Sequence, residues 1–223
     1  MRETRLGQRR RCVYAGGHMW LSLAAVSVAL CITSGSLANV IVYEALGPAN
    51  TWLGYGGWFG DTFASMTLAQ RFTPTVSGTF EELYAAIVPD QGSSDRSYTL
   101  RLLANQGNSP GAVLWEKTET TWPVPDGSVF HLDGLGGPML TAGLSYWLQA
   151  DKPVVQGAAH SWYVNDQGYT GITASSTDGV TWLVLNGDPV YGLRILVDPV
   201  PEPASLALLA VGGFALIRRR RTA

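Results

Sequence analysis

Cysteine is nearly absent from the 223-residue sequence, which contains only Cys12 and Cys31. The chain from residue 32 onward therefore has no disulfide, no thiol nucleophile and no thiolate zinc site. A domain without such cross-links depends on its hydrophobic core alone, and a body of about 160 residues is large enough to supply one.

Charged residues are also few, at 14%, against 46% hydrophobic and 10% aromatic residues, a balance typical of a globular protein. Of the 15 basic residues, five lie in the first 11 positions and four form the run Arg218–Arg221. Segment 39–200 contains six basic and 15 acidic residues, a net charge of −9. An acidic body lacks the clustered cations that bind phosphate backbones, so we predict no nucleic-acid partner.

The arginine-rich N-terminus precedes an apolar run, Met19 to Ile32, and the small residues Ser36 and Ala38 follow it. This order is typical of a secretory signal, with a basic region, an apolar region and small residues at −3 and −1. We predict a signal peptide at 1–38, removed by signal peptidase after Ala38. A retained N-terminal anchor is the alternative, and the shortness of the run disfavours it.

A second apolar run, 204–217, ends at Arg218, Arg219, Arg220 and Arg221. As a helix it would span roughly 21 Å, at about 1.5 Å per residue, and the arginines could not be buried behind it. We predict a short transmembrane helix whose arginines stop transfer on the cytoplasmic side.

The residues before this run are Val200, Pro201, Glu202 and Pro203. Together with the apolar run and the terminal arginines, segment 199–223 resembles the PEP-CTERM sorting signal. The resemblance implies a bacterial protein held transiently in the inner membrane, with its body in the periplasm, until an exosortase removes the tail. It also implies a final location at the cell surface or in the extracellular matrix, in a setting linked to exopolysaccharide.

The body, 39–198, shows the period-two alternation of β-strands, most clearly at Tyr98–Asn105 and Tyr191–Asp198. Turn sequences such as Gly107-Asn108-Ser109-Pro110-Gly111 and Asn186-Gly187-Asp188-Pro189 separate the candidate strands. Ten short strands are expected, near 40–45, 65–73, 79–88, 98–105, 112–119, 128–132, 144–151, 159–164, 180–185 and 191–198. This pattern predicts an all-β fold, a single β-sandwich of the jelly-roll type.

Several strand and turn sequences of the body resemble the choice-of-anchor exported domains. They are Ala69–Pro74, Tyr98–Leu102, Asn108–Leu114 and Leu140–Leu148. The resemblance covers residues 60–197 and implies an exported surface module with no established catalytic residues.

The body offers little catalytic chemistry. His131 and Asp133 could share a strand face as a base and its partner, but no Gly-x-Ser-x-Gly sequence supplies a nucleophile, and polar strand-surface residues are the favoured interpretation. We predict no enzyme, no catalytic residue, no metal site and no cofactor. A structural calcium is the alternative left open, with ligands among the loop acids Asp90, Asp95, Asp126, Asp166, Asp178 and Asp188.

Aromatic residues provide the best functional lead. Trp52, Tyr55, Trp58 and Phe59 crowd a glycine-rich segment that we expect not to form a regular strand. Exposed rings of this kind can stack on sugars, and more aromatics follow at Trp162, Tyr163, Tyr169 and Trp182. The favoured alternative is that the large rings fill the core, as they do in ordinary β-sandwiches.

These observations predict an exported envelope or matrix protein with a structural or adhesive role linked to exopolysaccharide. A cell-surface carbohydrate-binding module is the second hypothesis. A glycan hydrolase would need two carboxylates facing each other across a groove.

Overall fold

A computed structural model describes residues 38–47, 49–59, 66–89, 97–120, 129–151 and 159–200, with the side chain of Trp58 excepted. Strands, turns and bends make up these ranges, and none of them contains a helix long and apolar enough to cross a membrane. The predicted all-β class is confirmed. Residues 1–37 of the predicted signal peptide, and the predicted helix 204–217, lie outside the described residues.

The described ranges contain fourteen strands. They are β1 (Val40–Glu44), β2 (Trp52–Phe59), β3 (Thr67–Phe72), β4 (Gly78–Ala85), β5 (Ile87–Pro89), β6 (Tyr98–Gln106), β7 (Ser109–Glu119), β8 (Phe130–Leu132), β9 (Met139–Leu140), β10 (Tyr146–Asp151), β11 (His160–Asn165), β12 (Thr170–Ser176), β13 (Leu183–Pro189) and β14 (Leu193–Pro199).

The strands form three antiparallel sheets. A five-stranded sheet has the order β1-β14-β4-β8, with β9 also paired to β4. A six-stranded sheet has the order β13-β12-β3-β10-β6-β7, and a small sheet has the order β2-β11-β5. The chain therefore moves repeatedly between sheets, since β3 and β4 are consecutive in sequence and belong to different ones.

One hydrophobic core joins the three sheets. Its buried members include Phe80 and Ile195 from the five-stranded sheet, Leu100 and Leu148 from the six-stranded sheet, and Trp162 from the small one. Period two explains this arrangement, because alternate side chains of each strand point to the same face.

A second cluster contains Ala69, Leu103, Trp147 and Ala174, the residues that alternate with core residues on the six-stranded sheet. Trp147 is fully buried there, and its indole N–H donates to Oδ1 of Asn105 at 2.9 Å. Small side chains on β3 and β12 leave room for this ring.

The glycine-rich segment 52–59 forms strand β2, and the strand is not a regular one, because its ladder with β11 shifts register between Gly56 and Trp52. Gly56 lies opposite Tyr163 and Gly57 opposite Trp162 in the β2–β11 ladder. Glycine disfavours strands through backbone entropy, but here the pairing with β11 overrides that local preference.

Two strand predictions need correction. Strand β12 was not expected, because its run of small and polar residues shows no strong alternation. The sequence Asn186–Pro189, expected as a turn, lies inside β13, where Gly187 at φ 79° is the extra residue of a β-bulge opposite the pair Gly171 and Ile172.

Of the turn predicted at 107–111, Gly107 and Asn108 form the turn, whereas Ser109, Pro110 and Gly111 already belong to β7. Gln106 pairs with Ser109, and the two residues between them have φ values of 59° and 70°. Positive φ at both central positions is typical of a type I′ hairpin, which matches the right-handed twist of the strands.

The first strand of the domain begins beside the end of the last one. Val40 of β1 pairs with Val197 of β14, and Pro199 pairs with Gly78. The backbone N–H of Val200 then donates to the carbonyl of Ser77 at 3.3 Å. The sheet thus holds the chain in place up to Val200, immediately before the Pro-Glu-Pro sequence.

Candidate functional site

The candidate site lies on the small sheet, where β2 and β11 come unusually close. A Cβ added at Gly56 would lie 2.0 Å from the carbonyl oxygen of Trp162. A Cβ at Gly57 would lie 2.6 Å from Cδ1 of Leu68 and 2.7 Å from the hydroxyl of Tyr191. Glycine is needed at position 56, where the neighbouring atoms belong to the backbone, whereas the neighbours of Gly57 are the ends of side chains. The two glycines leave β2 without side chains at these positions.

Trp52 and Tyr163 lie on these two strands and stack with ring centroids 6.4 Å apart and an angle of 24° between the planes. Near-parallel rings at this separation are offset, so neither ring covers the whole face of the other. Gly56, the cross-strand partner of Tyr163, places no side chain over the tyrosine. Both rings are half-buried.

The turn after β11 contains an exposed tyrosine, Tyr169, whose backbone lies next to Asn165. The side chain of Asn165, which pairs in register with Trp52, donates to the carbonyl of Tyr169 at 2.8 Å and to that of Val190 at 2.7 Å. Its carbonyl oxygen accepts from the backbone N–H of Gln167 and of Tyr169. Asn165 is buried and fully bonded, so it fixes the turn that presents Tyr169, a residue that is 49% exposed.

We call Trp52, Tyr163 and Tyr169 the aromatic surface. Asp166 lies beside it, hydrogen-bonded to Thr51 and to Nε2 of Gln167. These hydrogen bonds hold the pKa of the Asp166 carboxyl below its usual range, so the group is charged at neutral pH. The surface thus combines apolar ring faces with a fixed carboxylate and polar side chains.

Of the four aromatic residues predicted as sugar-stacking, Trp52 belongs to this surface and Tyr55 is 59% exposed on the same strand. Phe59 is 1% exposed and packs against His160 in the core, so it takes no part in the surface. The side chain of Trp58 lies outside the described residues.

Trp162 is also a core residue. It is fully buried, stacks on Tyr191 with ring centroids 4.8 Å apart, and donates its indole N–H to the carbonyl of Gly192 at 3.2 Å. From the sequence alone, Tyr163 is one of several aromatic residues in the later part of the body. Only the register of β2 against β11 distinguishes Tyr163 from its buried neighbour Trp162.

A polar row crosses the outer side of the five-stranded sheet. Glu44 pairs with Arg194, Arg194 with Tyr84, and Tyr84 with His131, each on the next strand of the sheet. Arg194 forms an ion pair with Glu44 and lies over the Tyr84 ring, 5.4 Å from its centroid. Such cross-strand contacts between charged and aromatic side chains stabilise a sheet surface.

His131 ends this row. Its ring stacks on Tyr84 at 4.1 Å between centroids, and its Nε2 atom lies 3.6 Å from Oε2 of Glu82. Partial burial and the charges of Glu82 and Asp133 raise the pKa of Tyr84. The structure therefore places His131 against Tyr84 and Glu82, in a row of cross-strand contacts.

The loop acids considered as calcium ligands are dispersed where they are described. Asp178 accepts from the backbone N–H of Val180 and of Thr181 and from the hydroxyl of Ser176, which closes the turn before β13. Within the described ranges, no three His, Cys, Asp or Glu side chains are grouped so as to hold a metal ion. Asp90, Asp95 and Asp126 lie outside them.

Comparison with protein families gives one match, to the PEP-CTERM protein-sorting motif at residues 199–221. The match starts at the last residue of β14 and continues through Pro201, Glu202 and Pro203 to Arg221. The motif implies an exported protein that is anchored transiently in a membrane before an exosortase sorts it. No curated protein and no solved structure matches the chain.

Proposed function

We propose that this chain is a non-enzymatic protein of the bacterial envelope or extracellular matrix with a structural or adhesive role. A signal peptide delivers it, the tail holds it in the inner membrane with the body in the periplasm, and an exosortase releases it to the surface. The observation that carries the proposal is the sorting motif, which begins directly at the end of a folded β-sheet.

We further propose that the body is a jelly-roll sandwich. The orders β1-β14-β4-β8 and β3-β10-β6-β7 support this proposal. These two orders contain eight strands, which can be renumbered from one to eight in chain order. The first sheet then has the order 1-8-3-6 and the second has the order 2-7-4-5. The aromatic surface belongs to the additional small sheet, an insertion typical of a scaffold that carries a binding site.

The adhesive role follows from the aromatic surface. Apolar faces of sugar rings pack on aromatic rings, and neighbouring carboxylate and amide groups accept and donate hydrogen bonds to hydroxyls. Trp52, Tyr163 and Tyr169 with Asp166 and Gln167 offer this combination. Exopolysaccharide is the partner that it suits. A dedicated carbohydrate-binding module is the second candidate, and the same surface favours it.

Sorting is tested by replacing Pro201 and Glu202 with alanine and fractionating the cells. The variant should stay in the inner membrane at its uncleaved size, because the apolar run still anchors it and recognition is lost. Thr222→Ala, beyond the matched segment, is the control and should be processed normally. Normal release of the Pro201/Glu202 variant would show that an exosortase does not read this motif.

Glycan binding is tested by electrophoresis through gels that contain the native exopolysaccharide. Trp52→Ala and Tyr163→Ala should each migrate faster than the unmodified protein, because each removes half of the stacked pair. Leu144→Ala, an exposed residue of the loop before β10, is the matched control and should be retarded like the unmodified protein. Equal migration of all four proteins, with melting curves that show them folded, would contradict glycan binding at this surface.

A further inference from the structure

We infer that the glycan held at the aromatic surface is one without acidic groups. The inference rests on the proposed glycan binding and adds the charge class of the ligand. Polymers of uronic acids, or those bearing sulfate or phosphate, bind best where unpaired cations lie at the site, because removing a carboxylate from water without a partner is costly. The distribution of basic side chains in the fold decides between the two classes.

The basic residues of the six-stranded sheet are already engaged. Arg101 binds Asp151 at 2.8 Å and Glu116 at 2.5 Å, and Lys117 binds Glu119 at 3.1 Å. Arg101 lies on β6 and Lys117 on β7, at the edge of the sheet that is farthest from β12 and β13. Neither is available to an anionic ligand at the aromatic surface.

The two other described cations are also on the large sheets. Arg194 of β14 is paired with Glu44 and donates to the carbonyl of Gly47 at 2.9 Å. Arg71 of β3 donates to Oδ1 of Asn108 at the β6–β7 turn, 2.7 Å away. Among the described residues, the strands β2, β11 and β5 of the small sheet carry no lysine or arginine.

Arg96 and Lys152, the remaining basic residues of 39–200, lie outside the described residues. Segment 90–96, with Arg96, follows Pro89 of β5. Segment 152–158, with Lys152, precedes β11. Pro89 pairs with His160, whereas Trp52 pairs with Asn165 at the other end of β11. Pro89 and His160, on the described chain near these segments, therefore lie at the end of β11 opposite the pair of Trp52 and Asn165.

The charge that is present at the surface is negative. Asp166 is exposed, and its hydrogen bonds to Thr51 and Gln167 connect it with the residue next to Trp52. A fixed carboxylate repels other anions within a Debye length of about 8 Å at physiological ionic strength. An uncharged polysaccharide meets no such repulsion, and its hydroxyls can donate to this carboxylate.

The test uses the exopolysaccharide of the producing cells, separated on an anion-exchange resin into an unbound neutral fraction and a bound acidic fraction. Each fraction is cast into gels, and the unmodified protein, Trp52→Ala, Leu144→Ala and Asp166→Lys are run through both. We expect retention by the neutral fraction, a loss of roughly three- to tenfold in Trp52→Ala, and little change with added salt. Asp166→Lys should gain retention by the acidic fraction, because it places a cation beside Trp52.

The outcomes separate this inference from the proposed function. Retention of the unmodified protein by the acidic fraction alone, with loss in Trp52→Ala, would overturn the charge class and leave glycan binding standing. Retention by neither fraction would overturn glycan binding itself. If Asp166→Lys, folded by its melting curve, gains nothing on the acidic fraction, local charge does not select the ligand and the inference fails.

Discussion

Replacing Gly56 with alanine tests whether the candidate site depends on close backbone contact between β2 and β11. The added Cβ would lie 2.0 Å from the carbonyl oxygen of Trp162 and 2.6 Å from Cα of Tyr163. Ordinary van der Waals contact begins near 3.4 Å, so the strands must separate by the difference between 3.4 and 2.0 Å, or 1.4 Å. The neighbouring atoms belong to the backbone, and no side-chain rotation relieves the overlap.

A separation of this size breaks the ladder hydrogen bonds around Gly56, each contributing about 1 kcal/mol, and loosens the packing of Trp162 beneath them. We expect a loss of about 3 kcal/mol in the free energy of unfolding. For a domain of this size that corresponds to a decrease of about 6–12 °C in the melting temperature. Thermal unfolding followed by circular dichroism measures it.

Gly54→Ala is the matched control, because it lies on the same strand and a Cβ there would meet nothing within 4 Å. Its stability should change by less than about 0.5 kcal/mol. Equal melting temperatures for Gly54→Ala and Gly56→Ala would refute the close approach of the two strands. The register that places Trp52 beside Tyr163 would then fail with it.

Three further outcomes are expected. Gln70→Leu should destabilise the domain by about 2 kcal/mol in urea denaturation, because the buried amide joins the Tyr43 hydroxyl at 3.1 Å and the Tyr191 N–H at 2.6 Å. Burial raises the pKa of Tyr43 and of Tyr191 to about 12. Their contribution to the stability of the fold should therefore be complete below pH 10 and be lost as the pH rises towards 12. Phenolate absorbance measures the ionisation, and melting curves measure the stability. N-terminal sequencing of the exported protein should begin at Asn39, because cleavage follows Ala38.

Each of these has a clear contrary result. A stability of Gln70→Leu equal to that of the unmodified protein would show that the amide is not the link between β3 and its two partners. Ionisation of every tyrosine near pH 10 in the folded state would contradict the burial of Tyr43 and Tyr191. An exported species that still begins at Met1 would contradict cleavage by signal peptidase.

The period-two alternation of apolar and polar residues was sufficient to predict strands that have one buried face and one solvent-exposed face. Strand β14 is of this kind, with Ile195 and Val197 directed into the core. Strand β6 directs Leu100 and Leu102 into the core and also buries Leu103 on its other face. The turn at Gly107-Asn108 was predictable for a local reason as well, since few residues tolerate positive φ. Local rules were enough for these elements.

The parts that the sequence did not predict depend on contacts between distant segments. Strand β2 has glycine at position 56 because β11 approaches its backbone closely there, and β12 has small residues such as Ala174 because it shares a cluster with Trp147. Neither reason is visible in the segment itself. The stacking of Trp52 on Tyr163 is of the same type, because a shift of one residue in the register would direct the tyrosine to the other face.

The sorting segment and the aromatic surface are connected to opposite ends of β14. The sorting segment leaves at the end of β14, beside the start of β1 where Val40 pairs with Val197, so both connections of the domain emerge at one corner. The aromatic surface is attached at the other end of the same strand, where the N–H of Gly192 donates to the carbonyl of Tyr163. Seven residues of extended chain separate the two ends, a distance of about 20 Å. β14 is thus a spacer of this length between the start of the sorting segment and Tyr163.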